Sequence, residues 1–572
     1  MRYVALACDY DGTIAEDGKV PDRVVDAIER LKASGRRVIL VTGRELEDLQ
    51  KVFEHLDVFD RVVAENGALV LDPRTRDVRT LAEPPPPAFV DALHERNVGP
   101  LSEGHVIVAT WEPHEETVLE TIKDLGLELQ VIFNKGAVMV LPPLVNKATG
   151  LRAALDELGL SPHNVVGIGD AENDHAFLDL CELSAAVDNA LPAVKERCDH
   201  ITAGHHGDGV VGLIDAVLDD DLASLDERVR RHDIAIGTRD DDKPVTVRPY
   251  RSNVLITGPS GSGKSSLTTG VLERLAEHGY QFLLVDPEGD YDALEGVVVL
   301  GSPERVPTVD ETLDILADPG TNLVLNLLGV PLDDRPGSLE ALLPRLQELR
   351  ARSGRPHWIV IDEAHHLLPS GLQTADTTLP PDVASMLLVT VHADAMTAEA
   401  LRPVNVVIAP AEGAPTSLEA FAETAEVDAP ASDDLEPGKD DAVVWYLPDP
   451  PFVFRPTEPE QALKRHRRKY AQGDLEEDAF VFRGPDGRLN LRAQNLQLFS
   501  QIAEGVDDRT WAWHLERGDY ERWFREAIGD KKLAELARTL ADGKKSKESR
   551  RRMVDAIEER YTLPAESAGN RP

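Results

Sequence analysis

Tyr3-Val4-Ala5-Leu6-Ala7-Cys8-Asp9-Tyr10-Asp11-Gly12-Thr13 opens the chain and decides the fold of its first region. The apolar run Tyr3 to Ala7 reads as a buried strand. It runs into two carboxylates two residues apart, followed by a glycine that permits a sharp turn. In a parallel α/β sheet, ligands bind beyond the carboxyl ends of the strands. Two acids at such an end can converge on one phosphate, one attacking phosphorus while the other handles the leaving-group proton.

Working outward, residues 1 to about 218 alternate apolar strands with amphipathic helices, the pattern of a doubly wound α/β domain. The strand Val38–Val41 ends in Thr42-Gly43-Arg44, which offers a hydroxyl to a phosphate oxygen. Lys147 opens a helix and offers a point charge to a developing phosphoryl anion. The strand Val165–Ile168 ends in Gly169-Asp170-Ala171-Glu172-Asn173-Asp174, whose carboxylates suit Mg2+, a hard cation that takes oxygen ligands.

In this order the motifs resemble those of the haloacid dehalogenase superfamily, over residues 1 to about 215. Ala64-Glu65-Asn66-Gly67-Ala68 and Val187-Asp188-Asn189-Ala190 look like its sugar-phosphate-phosphatase branch. The resemblance implies a Rossmann-like core (1–81 and 146–218) with a small α+β cap inserted at 82–145. It implies that Asp9 becomes a phosphoaspartate and that Asp11 serves as general acid and then base. Thr42 and Lys147 would hold the transferring phosphoryl group. Mg2+ would bind Asp9, the Asp11 main chain and Asp170, with Asp174 in support. The substrate expected is a small phosphomonoester, a sugar phosphate or phosphoglycolate.

A second α/β region is expected at 248–451, after a linker at 219–247. The strand Asn253–Thr257 leads into Gly258-Pro259-Ser260-Gly261-Ser262-Gly263-Lys264-Ser265-Ser266, the full P-loop pattern, with an amphipathic helix following. Backbone N–H groups of such a loop curl around the phosphates of ATP, Lys264 reaches the β/γ-phosphates and Ser265 takes Mg2+. Trp358-Ile359-Val360-Ile361-Asp362-Glu363 is an apolar strand ending in two acids: Asp362 suits the Mg2+ water shell and Glu363 can orient the attacking water. His392, after the strand Leu387–Val391, is a candidate sensor of the γ-phosphate, and Arg402 a candidate arginine finger. With Val285-Asp286-Pro287-Glu288-Gly289-Asp290-Tyr291, this region resembles HerA/FtsK-like ATPases over about 232–450. The resemblance implies ATP hydrolysis and oligomerisation through the ATPase domain. The stretch before Arg248 is too short for the barrel that such motors carry at their N-terminus.

A basic linker (452–473, with Lys464–Lys469) and a mainly helical domain (474–565) complete the expected organisation. Trp511, Trp513, Trp523 and Phe524 read as the core of that last domain. At 572 residues the chain is too long for one core. No stretch approaches the roughly 20 apolar residues of a membrane span. The three cysteines, Cys8, Cys181 and Cys198, form no disulfide framework or zinc site, so a reducing cytoplasm is expected. A formal charge of −41 repels polyanions, so nucleic acid is not the default partner. The alternative assignment is a nucleic-acid-processing ATPase with an end-cleaning phosphatase, or a kinase–phosphatase fusion.

Overall fold

The computed structural model describes residues 1–134, 136–370, 385–431, 435–460, 479–487, 489–528, 530–541 and 546–561. It divides into two compact units. The first comprises Met1–Glu288 and Gly296–Thr457, and the second Gly289–Glu295 and Glu458–Pro572.

The first unit holds two large sheets. The N-terminal one has eight strands, with Ala5–Cys8 at its centre between Val165–Gly169 and Arg37–Val41, all parallel. Helices Asp22–Ala33, Lys147–Leu158 and His206–Asp220 pack against it through residues such as Ile28, Leu151 and Leu213. Being covered on both faces, these strands are apolar throughout rather than alternating. The sheet order reverses at Ala5–Cys8, which creates the crevice above Asp9.

Between Leu71 and Lys147 the chain builds a second, smaller layer. Four antiparallel strands run in the order Ser102–Glu103, Val108–Trp111, Ala137–Leu141 and Gln130–Asn134. Helices Pro87–Glu95 and Glu115–Asp124 cover one face, packing Phe89, Leu93, Val118 and Ile122 onto Val108, Val138 and Val140. Residues of opposite parity face the other way, because side chains alternate along a strand.

The second large sheet has eleven strands. Its parallel centre runs in the order Val406–Pro410, Asn253–Thr257, Met386–Thr390, Trp358–Ile361, Phe282–Asp286, Asn322–Asn326 and Val297–Leu300. Antiparallel strands Ala442–Tyr446 and Phe452–Pro456 extend it, followed by Ile234–Thr238 and Pro244–Val247. Here the structure departs from the sequence reading. Residues 234–247, expected within the linker 219–247, are a hairpin of this sheet, and 452–456, expected in the basic linker 452–473, are its neighbouring strand. The charged stretch Arg239–Lys243 that suggested a linker is the hairpin's turn, closed by an Arg239 N–H to Lys243 carbonyl bond. The pairing that makes 234–247 part of a sheet comes from a segment more than two hundred residues away. The basic run Lys464–Lys469 lies outside the described residues.

In the second unit, a hairpin (Phe480–Phe482 with Leu491–Ala493) and five helices between Leu496 and Tyr561 enclose an aromatic core. Phe480, Phe482, Phe499, Trp511, Tyr520, Trp523 and Phe524 are buried there. Asn495 and Asp507 cap two of the helices by accepting backbone N–H groups. Among the described residues no helix is long and apolar enough to cross a membrane.

Candidate active sites

Asp9 stands one residue past the strand Ala5–Cys8, and Asp170 one residue past Val165–Gly169. Those strands are neighbours in register, so the two carboxylates come together at the sheet's carboxyl edge. Asp174 joins them because Gly169 has no side chain: a Cβ there would lie 2.6 Å from Asp174 Oδ2. Carboxylate oxygens of Asp9, Asp170 and Asp174 lie within 4.8 Å of one another, and all three residues are buried.

Lys147 reaches this cluster by a second close approach. A Cβ on Gly67 would sit 1.8 Å from the Asn146 carbonyl oxygen, so only glycine lets the start of the helix Lys147–Leu158 pack there. Asn146 caps that helix, accepting the N–H groups of Ala148 and Thr149. Lys147, the first helical residue, then donates from Nζ to Asp9 Oδ1 (2.6 Å) and Asp174 Oδ1 (2.5 Å). Burial alone would discharge this ammonium, but Asp174 and Asp9 hold its pKa well above that of an ordinary lysine. Asp174 is fully engaged, since its Oδ2 also accepts the N–H groups of Asp170 and Ala171. Burial, with Asp174 and Asp170 alongside, pushes the Asp9 carboxyl up to about 8 against the pull of Lys147.

Asp11 lies further out. Arg44, two residues beyond Thr42, grips its carboxylate with two bonds, Nε to Oδ2 at 2.6 Å and Nη2 to Oδ1 at 2.8 Å. Arg44 also pairs with Asp48. Thr42 is buried at the end of the strand Arg37–Val41, its hydroxyl accepting the Arg44 N–H. Sequence reasoning quoted Arg44 but gave it no role; its place beside Thr42 at a strand end was the available signal. The Gly12 carbonyl is braced from the other side by Asn189 Nδ2 (2.8 Å) and His206 Nδ1 (2.9 Å).

Glu65 was also missed as a functional residue. It is fully buried, yet its carboxylate accepts three backbone N–H groups from the cap: His105 (2.8 Å), Val106 (2.8 Å) and Ile107 (3.0 Å). A carboxylate of the core thus clasps the loop that enters the cap strand Val108–Trp111. The space between core and cap is a cavity of about 970 Å³, lined by Asp9, Asp11, Arg44 and Lys147 below and by Ile107, Ala109, Trp111, Ala137 and Met139 above.

The second site follows the same logic. Gly258 to Gly263 connects Asn253–Thr257 to the helix Lys264–Glu277, with Gly261 and Gly263 at φ of 83° and 104°. Ser260 lies inside this loop, and Ser265 and Ser266 in the first turn of the helix. Lys264 Nζ folds back onto the loop, donating to the Gly258 (2.9 Å) and Pro259 (2.8 Å) carbonyls. Asp362 and Glu363 follow the strand Trp358–Ile361, and Glu363 is in the left-handed region (φ 42°).

The strand Met386–Thr390 runs between the loop's strand and the Asp362 strand. It ends in Thr390, fully buried, whose hydroxyl accepts the His392 N–H (3.1 Å) and meets His365 Nδ1 (3.1 Å). His365 Nδ1 is also 3.6 Å from Glu363 Oε2, and burial beside His366, His392 and Lys264 pushes its pKa down to about 4. The buried polar group at this strand end is therefore Thr390, whereas the His392 side chain is largely exposed. Arg402 pairs with Glu426 and Glu399 just before the strand Val406–Pro410, at the sheet's amino edge and so at the far end from the P-loop.

The two large sheets meet at their amino edges. His163 and Asn164 precede Val165–Gly169, and Glu182 precedes Leu183–Ala186; opposite them Tyr250, Tyr280 and His357 precede Asn253–Thr257, Phe282–Asp286 and Trp358–Ile361. Glu182 Oε2 binds His163 Nδ1 (2.8 Å) and the Tyr280 hydroxyl (2.8 Å), and Arg2 pairs with its other oxygen (3.0 Å). His163 Nε2 lies 2.7 Å from the His278 carbonyl, and the His163 ring stacks on Tyr280 at 3.8 Å. Asn164 Oδ1 meets His357 Nε2 (3.2 Å). Burial would raise the Glu182 carboxyl, but His163, Arg2 and His232 hold it far below the usual carboxylate range. From this joint the strands lead away to Asp170 on one side and Asp362 on the other, roughly 15–20 Å of extended chain each. The two carboxyl-edge sites therefore open at opposite ends, not into a common space.

Comparison with known proteins agrees with this architecture. Residues 6–105 and 100–214 match the haloacid dehalogenase-like hydrolase family, and residues 247–392 match an AAA domain. The chain is similar to a phosphoglycolate phosphatase of Haloarcula marismortui, 31% identical over 36% of this chain and 95% of that protein. It is 29% identical to one of Methanothermobacter thermautotrophicus, over 37% of this chain and 96% of that protein. A haloacid dehalogenase-like hydrolase structure from Bacteroides thetaiotaomicron covers 38% of this chain and 99% of its own, at 17% identity and a TM-score of 0.34. Through its N-terminal region the chain belongs to the haloacid dehalogenase-like hydrolases. It is an enzyme of phosphatase type, joined in one chain to an AAA domain.

Proposed function

We propose that the N-terminal site hydrolyses a small phosphomonoester through a phosphoaspartate on Asp9, with Mg2+ as cofactor. The observation that carries this reading is the buried set Asp9, Asp170 and Asp174 with Lys147 bridging two of them. Among the described residues three carboxylates here share the Lys147 ammonium, and burial, with Asp174 and Asp170 alongside, raises the Asp9 carboxyl. That donor set fits a hard divalent cation. Asp9, Asp170 and the Asp11 main chain would hold it, with Asp174 in support through Lys147. When bound, Mg2+ supplies charge neutralisation for the phosphate oxygens.

Asp9 attacks phosphorus, and the leaving oxygen takes a proton from Asp11. Arg44 positions the Asp11 carboxyl, and the carboxylate left after that proton is given takes one from the water that hydrolyses the phosphoaspartate. Lys147 and Thr42 steady the phosphoryl oxygens. The inserted cap supports assigning the enzyme to the sugar-phosphate-phosphatase branch of its superfamily.

The P-loop site binds and hydrolyses ATP, with Lys264 on the phosphates, Ser265 and Asp362 toward Mg2+, and Glu363 orienting water. It is HerA-like in its motif set. The opposite-facing arrangement of the two sites supports an ATP domain that regulates or assembles the phosphatase rather than passing substrate to it. The test is phosphate release from a panel of phosphomonoesters by the full chain, with and without ATP. Mg2+-dependent turnover lost in D9N is expected; turnover that survives D9N would refute the reading.

A further inference from the structure

The cap's face toward the phosphatase cavity follows from strand parity. In the strand Val108–Trp111, Val108 is buried under the cap helices, whereas Ala109 and Trp111 line the cavity, as Ile107 does just before them. From the neighbouring strand come Ala137 and Met139, with Ala109 opposite Met139 and Trp111 opposite Ala137. The residue across from Trp111 is therefore an alanine, and next to that is Gly136, the nearest atom to whose built Cβ is Trp111 Cε3 at 3.9 Å. Among the described residues nothing large covers the indole: Trp111 is 54% exposed although apolar and set in a sheet.

Around that aromatic face the cavity wall is acidic. Glu16, Asp17, Glu45, Glu47 and Glu103 line it, and among the described residues none of the five has an ion-pair partner. Of the lining cations, Lys147 is committed to Asp9 and Asp174 and Arg44 to Asp11 and Asp48, which leaves the exposed Lys51 against these five acids. A phosphate at Asp9 thus has its leaving group beside a flat apolar surface flanked by hydrogen-bond acceptors.

We propose that Trp111 is a specificity-determining residue for this phosphatase, and that the leaving group it selects is an uncharged, hydroxyl-bearing ring. The ring's apolar face lies on the indole and its hydroxyls donate to the surrounding carboxylates. A short carboxylate leaving group, as in phosphoglycolate, is disfavoured twice: it is repelled by the acidic wall and leaves the indole uncovered. This inference rests on the phosphatase reading above and goes against the substrate named for the relatives.

The experiment compares kcat/KM for a hexose 6-phosphate and for phosphoglycolate, using the full chain with Mg2+, in the wild type, W111A and W111F. The wild type should prefer the hexose ester. In W111A the ratio of the two values should fall roughly tenfold, chiefly through KM for the hexose ester, and W111F should hold most of it. A wild type that prefers phosphoglycolate overturns the proposal, as does a W111A variant that loses both substrates in equal measure. No turnover of either ester, with none on a wider panel, would instead overturn the phosphatase reading and this inference with it.

Discussion

Replacing Glu65 by glutamine removes a charge and almost no volume. In the structure, Glu65 Oε1 takes the His105 N–H while Oε2 takes those of Val106 and Ile107. A glutamine has one acceptor oxygen, so its NH2 must face at least one of these donors. Two bonds to a charged acceptor become bonds to a neutral one, losing about 1 kcal/mol each, and a third is replaced by an unsatisfied buried N–H costing about 1–3 kcal/mol. The sum is roughly 3–5 kcal/mol, and at least a part of it falls on the cap loop alone. At about 1.4 kcal/mol per factor of ten, hydrogen exchange at the amides of residues 105–107 should accelerate by on the order of a hundredfold or more in E65Q. Phosphatase kcat/KM should fall as well, because the loop carries Ile107, Ala109 and Trp111 over the cavity. Exchange at these amides within about threefold of the wild type would refute the clasp, since the predicted loss is far larger than that.

Other predictions concern the remaining sites. K147M leaves Asp9 and Asp174 buried without their shared ammonium, so thermal stability without divalent metal should drop sharply and be regained in part with Mg2+; an unchanged melting curve would contradict this. K264A should abolish ATP binding by calorimetry and leave phosphatase turnover measured without ATP within about twofold, because the two sites lie at opposite ends of the joined sheets, and any effect of ATP on that turnover should be lost. T390A should keep ATP affinity but lower ATP hydrolysis by roughly ten- to a hundredfold, through loss of the contact that sets His365 beside Glu363; a normal rate would remove Thr390 from the site. The fourth is a pH effect at the joint. Glu182 has a depressed pKa in the folded state, so it contributes stability above the unfolded carboxylate value near 4.5, which is lost as pH falls below that. E182Q should therefore be less stable than wild type at pH 7 and show a flatter acid limb between about pH 4.5 and 3. Parallel acid limbs for the two proteins would count against a charged role for Glu182.

Such a joint has a mechanical consequence. Buried polar groups from both sheets satisfy one another across it, and separating the sheets would take the Tyr280 hydroxyl from Glu182 and Asn164 from His357. Among the described residues, this amino-edge contact is a path by which a change in the second sheet can reach the phosphatase.

What the sequence determined by itself was local. A strand ending in Asp9-Tyr10-Asp11-Gly12, a loop ending in Gly263-Lys264-Ser265 and a strand ending in Asp362-Glu363 each bring together apolar burial, a turn and a polar group within a dozen residues. Backbone geometry alone then brings the polar groups to a sheet's carboxyl edge. What only the tertiary structure decided depends on segments far apart in the chain. The grip of Arg44 on Asp11, the clasp of Glu65 on residues 105–107 and the pairing of Ile234–Thr238 with Phe452–Pro456 are of this kind. So is the meeting of Glu182 with Tyr280, on which the opposite facing of the two sites rests. A charged residue such as Glu182 reads as solvated surface in a linear chain, because only partners brought in by folding make its burial favourable.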